Sequence, residues 1–199
     1  MPARFFVPLL LFTSSLLVSC GTNYADLPAY STKHHLLQAV VEVPAGTNHI
    51  QYYDPTTRQF RRAQRAGTDR LVKFLPYPGN FGFIPGTRTE ASPRYPAGRP
   101  LPVLILAESQ PAGTVLEIIP VGMLLLDEGG LLQQIALAVP ARPGLRILPG
   151  VTSWEKLQRN YPTIRTILGY WFQHHSATAI HIAGWKDEQF AQQQIKAAL

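Results

Sequence analysis

A chain of 199 residues, 46% hydrophobic and 15% charged, suits one domain with a proper core and is too short to argue for two. Its single cysteine, Cys20, excludes an intrachain disulfide and a cysteine-rich zinc site. The 18 prolines and 15 glycines are spread out, which excludes a low-complexity tract; the net charge of +6 favours anionic partners or is plain solubility charge, since no Lys/Arg run exceeds Arg61-Arg62.

Residues 1–19 carry a positive Arg4 and an apolar run from Phe5 to Val18, too short and too Ser/Thr-interrupted for a membrane span. The run ends in Leu17-Val18-Ser19-Cys20-Gly21, which resembles a bacterial lipobox. That resemblance implies cleavage before Cys20, lipid on its thiol, and a domain held at the cell envelope outside the cytoplasm. Residues 20–37 read as the lipidated N-terminus and a flexible tether, and 38–199 as the folded domain.

Leu36–Pro44, interrupted by Glu42, reads as a strand. Ile50–Tyr53 and Gln59–Arg62 flank the turn residues Asp54-Pro55-Thr56-Thr57 and read as a hairpin. Gly67-Thr68-Asp69 reads as a turn and Leu71–Leu75 as a strand exposing Lys73. Pro76–Thr87 is a proline-flanked turn in which Tyr77, Phe81 and Phe83 either wall a pocket or join the core. Arg88–Pro100 is a polar loop. Strands follow at Leu101–Leu106, Val115–Ile119, Val121–Leu126 and Leu132–Val139, with Asp127-Glu128-Gly129-Gly130 as a turn. This describes a small closed or nearly closed β-barrel. Helical periodicity begins after a cap at Thr152 or Ser153 and is broken by Pro162. A short strand at Ile180–Ile182 precedes a last helix, opened by Gly184-Trp185-Lys186-Asp187.

Several segments together resemble soluble (family I) inorganic pyrophosphatase: VVEVPAG at 40–46, FLPYPGNFGFIPGT at 74–87, IIPVGMLLLDEGG at 118–130, IALAVP at 135–140, YWFQHH at 170–175 and AGWKDEQFA at 183–191. The resemblance implies a mainly β protein with added α structure: an OB-like five-stranded β-barrel with flanking C-terminal helices. It also implies a site where Mg²⁺ ions assist hydrolysis of pyrophosphate to two phosphates, a chemistry that needs dense carboxylates.

The residues depart from that pattern. The family's D-G-D-P-L-D signature corresponds to Ala97-Gly98-Arg99-Pro100-Leu101-Pro102, so all three aspartates are gone and Arg99 puts a cation where a metal ligand stood. The Lys and Glu of its I-K-Y-E strand correspond to Gln51 and Tyr53, the Tyr of its N-Y-G-F turn to Phe81, and its late Tyr-Lys pair to His175-Ser176. Its second loop aspartate and lysine correspond to Gln133 and Ile135. Glu42 and Tyr77 are kept as catalytic positions, with Lys73 taken for the arginine of the D-R-F segment. Glu128, with Asp127 one place off, is what remains for metal. Mg²⁺ is thus implied by the family but not expected to bind.

Arg88, Arg94 and Arg99 fall in one loop, either an anion-binding rim that meets phosphate directly or a solvated loop. His34-His35, His49, His174-His175 and His181 show no metal-site spacing. The expected partner is pyrophosphate, phosphate or another small anion, with the membrane engaged through Cys20, and the export signal argues against nucleic acid as the barrel's ligand. An active but divergent diphosphatase and a non-catalytic structural or partner-binding envelope lipoprotein are the alternatives.

Overall fold

The computed structural model describes residues 22–199. Residues 1–19, read as a signal segment, and Cys20 lie outside the described residues. No helix among the described residues is long and apolar enough to cross a membrane.

Five strands close into a ring: β1 (Leu37–Val43), β6 (Asn80–Ile84), β7 (Leu101–Ile105), β9 (Leu131–Pro140) and β8 (Val115–Glu128), with β8 pairing back onto β1. All pairings are antiparallel except β7 with β9. The expected five-stranded OB-like barrel is therefore present. The ring closes where Leu37 meets Ile118 and Val40 meets Val115. β8 is one 14-residue strand, not two; a register shift between Pro120 and Gly122 bends it. Its far half pairs with β10 (His181–Lys186), which extends the sheet beyond the ring. Two small hairpins stand apart: β2 (Gln51–Asp54) with β3 (Gln59–Arg62), and β4 (Gln64–Arg65) with β5 (Thr68–Asp69), where a turn alone was expected.

The ring strands are buried on both faces, which is why β7 and β9 read as nearly unbroken apolar runs. One face of β7 and β9, through Leu104, Leu106, Leu137 and Val139, packs against Leu157, Leu168, Trp171 and Phe172. These come from α1 (Trp154–Asn160) and α2 (Ile164–His174). The other face, through Val103, Ile105, Ala136 and Ala138, shares a cluster with Ala191 and Ile195 of α3 (Glu188–Ala197). Ser153 caps α1 by accepting from Lys156 N at 3.3 Å, and Pro162 lies in the break before α2. Asp187 caps α3, accepting from Phe190 N at 2.9 Å, so Gly184–Lys186 belong to β10 rather than to the helix.

Two expectations are corrected. Leu71–Leu75 is not a strand: Leu71 makes one isolated bridge to His49, and the Leu75 carbonyl accepts from the Trp171 indole at 2.8 Å. Within Pro76–Thr87, Asn80–Ile84 is a full ring strand. Its Gly82 faces Val40 so closely that a Cβ would stand 1.9 Å from the Val40 carbonyl oxygen. Asn80, fully buried, accepts from Ala45 N at 3.1 Å and Gln110 N at 2.8 Å and donates to Glu108 O at 2.9 Å.

The segment read as a tether is packed from Asn23 onward. Tyr24 stacks edge-on against Tyr53 and Phe60, Ala29 is buried, and Gln38 N donates to Ala29 O at 2.7 Å.

Candidate functional site

On β1, Val41 and Val43 are buried in separate core clusters with a register shift between them, and Glu42, at that shift, is half-buried. Its Oε1 accepts from Tyr53 N at 2.8 Å. Burial pushes the Glu42 carboxyl up to about 7, against the Tyr53 N–H and the charge of Arg99, which favour the anion. The two β2 residues that the resemblance sets against charged positions, Gln51 and Tyr53, do structural work. The Gln51 amide donates to the Glu42 backbone carbonyl. The Tyr53 ring lies in the Tyr24–Phe60–Phe83 cluster, and its hydroxyl donates to Asn23 Oδ1 at 2.9 Å.

Near Glu42 the fold gathers Arg99, Gln133 and Glu128, three positions that the resemblance sets against metal ligands, and they bond in a chain with Tyr95 and Arg94. Arg99 donates to Gln133 Oε1 at 3.0 Å and to the Tyr95 hydroxyl at 3.1 Å, with its guanidinium 4.4 Å from the Tyr95 ring centroid. The Gln133 amide donates to Glu128 Oε2, which also takes Arg94 Nη1 in an ion pair. Glu128 is nearly covered in this pair, its side chain 11% exposed. Burial lowers the Arg99 pKa, opposed by Tyr95, Glu42 and Glu128. β7 and β9 run parallel as ring neighbours, which sets Arg99, just before β7, across from Gln133 at the start of β9.

Tyr77 is buried against Trp171, with centroids 4.9 Å apart, and burial followed by the charge of Glu42 pushes its hydroxyl up to about 12. His175, at the family's late tyrosine, stacks on Trp171 at 4.8 Å; burial holds its imidazole below the usual value. Asp127 is engaged locally, accepting from Gly130 N at 2.7 Å within the β8–β9 turn. Lys73 is exposed and has no hydrogen bond or ion pair among the described residues. Arg88 is exposed and donates to Ala97 O at 2.7 Å. Arg88 and Arg99 line a cavity of about 310 Å³ under the loop, and Arg94 does not.

Reading the residues alone missed Arg70, whose charge reaches Tyr77 and favours its ionised form. The signal was there: Asp69-Arg70-Leu71 matches a D-R-F segment more directly than Lys73 does. Tyr95 was also missed, and nothing in its local sequence marks it as the surface on which Arg99 lies.

The donor set does not fit Mg²⁺. Glu128 is spent on Arg94 and Gln133, Asp127 on its own turn, and Glu42 stands as a lone carboxylate near a guanidinium. Among the described residues there is no group of three or more His, Cys, Asp or Glu placed to share a cation.

A family profile described as inorganic pyrophosphatase matches residues 39–199. The chain is 29% identical over 174 residues to the inorganic pyrophosphatase of Caulobacter vibrioides, covering 82% of this chain and 88% of that one. It is 29% identical over 169 residues to that of Saccharolobus solfataricus, with 82% and 90% covered. Among solved structures, inorganic pyrophosphatase from Thermus thermophilus superposes with a TM-score of 0.74 at 24% identity, covering 89% of this chain and 97% of that one. The type I enzyme from Toxoplasma gondii gives 0.76 at 20% identity, covering 89% and 85%. The structural matches share the fold, the profile spans the ring and all three helices, and the chain belongs to the inorganic pyrophosphatase family.

Proposed function

We propose that this protein is an exported, lipid-anchored member of the pyrophosphatase family that has given up Mg²⁺-dependent hydrolysis and holds a small anion with arginine. One observation carries the reading: Arg99 and Gln133, which the resemblance sets against metal-binding aspartates, are bonded to each other and, through Tyr95, Glu128 and Arg94, into one chain of side chains. That reaction, pyrophosphate plus water to two phosphates, relies on metal to neutralise the substrate and activate water. A guanidinium instead meets a phosphate oxygen directly through paired N–H donors. When bound, Mg²⁺ would supply charge neutralisation and an activated water. The chain's residues at these positions repel it or are already paired.

Phosphate release from pyrophosphate with Mg²⁺ or Mn²⁺ tests this. The expected result is no metal-dependent turnover above background, with pyrophosphate binding detected by calorimetry in the presence of EDTA. The opposing reading, a divergent enzyme, draws on Glu42, whose carboxyl near 7 suits a general base. Robust turnover abolished by Glu42→Gln or Glu128→Gln would establish it. The anchor is tested separately: labelled palmitate should enter the protein, and Cys20→Ala should lose both label and membrane association. Retention of both in that variant rejects the lipid anchor.

A further inference from the structure

The loop from Arg88 to Pro100 is held in place at both ends. Arg88 N donates to Ala198 O at the end of α3 at 2.7 Å, and Thr89 N donates to Arg99 O at 2.8 Å. Within the loop, Ser92 and Tyr95 exchange backbone hydrogen bonds at 3.0 Å, and Tyr95 N also reaches Ser92 Oγ at 3.1 Å. The cavity of about 310 Å³ lies between this loop, the start of β9 and the end of α3. That size falls at the lower end of the roughly 300–1,000 Å³ of small-molecule sites.

Its lining is chemically divided. Arg88 and Arg99 supply guanidinium groups, and Glu90 is the one acid among the lining residues. The Arg88 guanidinium spends one nitrogen on Ala97 O, and its other guanidinium nitrogens make no hydrogen bond among the described residues. Opposite are three amides: Gln133 on Arg99, and Gln134, whose Nε2 donates to Gln194 Oε1 at 3.1 Å. Leu131 and Leu132 give the apolar wall, Leu132 being 55% exposed. Phosphate alone would use only the arginines. Amides that donate and accept together match hydroxyl groups, and an apolar wall beside them matches the carbon face of a polyol or sugar.

We propose that this cavity binds a sugar or polyol phosphate without metal, its phosphate on Arg88 and Arg99 and its hydroxyls on Gln134 and Gln194. This rests on the reading of a metal-free, anion-holding protein and names its ligand class. Preformed walls lower the ordering cost of binding.

Calorimetry on the full chain in detergent and EDTA, with glucose 6-phosphate, glucose and pyrophosphate as probes, tests it. Glucose 6-phosphate should bind at least tenfold more tightly than glucose or pyrophosphate. Arg88→Ala should weaken it at least tenfold, and Leu132→Trp, which fills the cavity from an exposed position, should abolish it while thermal unfolding stays near the parent's. Gln194→Ala should weaken glucose 6-phosphate and leave pyrophosphate unchanged. Vesicles of phosphatidylglycerol in phosphatidylcholine separate the sources of the ligand. Binding that depends on Arg88 and exceeds that of free glycerol 3-phosphate assigns a lipid headgroup, and the reverse assigns a free molecule. No binding of glucose 6-phosphate, glycerol 3-phosphate or these vesicles, or binding indifferent to Arg88→Ala and Leu132→Trp, overturns the proposal. Metal-dependent phosphate release measured alongside reports on the broader reading independently: turnover with an intact cavity ligand overturns that reading and leaves the cavity site standing.

Discussion

Glu42 is a carboxylate whose usual neighbours have changed around it. Its pKa is raised from 4.5 to about 7, so the folded state binds the proton more tightly than the unfolded chain does. The resulting penalty on stability is absent below about 4.5, grows as pH rises through that window, and is complete above 7. At about 1.36 kcal/mol per pKa unit the full penalty is at most about 3 kcal/mol. Glu42→Gln keeps an oxygen for Tyr53 N and removes the charge. It should therefore be more stable than the parent in urea at pH 8 and near parity at pH 4. Equal midpoints at both pH values would mean the carboxylate is not destabilised by burial. At this scale the sequence disclosed which side chains had been exchanged, because Arg99 and Gln133 stand in recognisable frames. Where they point was hidden. That Arg99 lies on Tyr95 and shares Gln133 with Glu128 depends on the parallel pairing of β7 with β9, which brings distant residues side by side.

Among the elements, β6 shows what local pattern cannot decide. Pro78-Gly79 and Pro85-Gly86 are turn chemistry and flank the strand, yet Asn80–Ile84 between them is a full ring strand with Gly82 at its middle. Gly82 is there because β1 passes too close for a side chain, and Asn80 because three backbone groups need a partner inside the protein. Gly82→Ala should cost about 3 kcal/mol or more through the clash with Val40. Asn80→Ala leaves the N–H groups of Ala45 and Gln110 unpaired, at about 1–3 kcal/mol each. Both variants should melt well below the parent by circular dichroism, and a Gly82→Ala protein with unchanged melting would refute the close approach. The opposite error at Leu71–Leu75 has the matching cause: its alternation suits a strand, but Trp171 takes a carbonyl that a sheet partner would need. The first two helices were legible because their signals are local, a cap at Ser153 and a break at Pro162, whereas the last begins at its Asp187 cap, later than the Gly184 start expected, because Gly184–Lys186 pair in β10.

For the molecule as a whole, the barrel was legible chiefly through the ordered run of family segments, since short strands alone do not state how a ring closes. That closure joins the first ring strand to one far along the chain, Leu37 to Ile118. The seam is therefore also a clock. Pairings distant in sequence must wait until loop entropy has been overcome, whereas the β8–β9 hairpin is local and turns at Gly129-Gly130. Refolding should be dominated by a phase on the scale of milliseconds to seconds, with the hairpin formed before the seam. In a chevron plot, Leu124→Ala in the hairpin should slow folding, while Leu116→Ala at the seam should leave folding unchanged and speed unfolding. The opposite pattern would place ring closure first. With the seam last, the chain stays an open, curling sheet until its two ends of the ring meet, so the lifetime of the folded protein is set by how seldom that one junction parts.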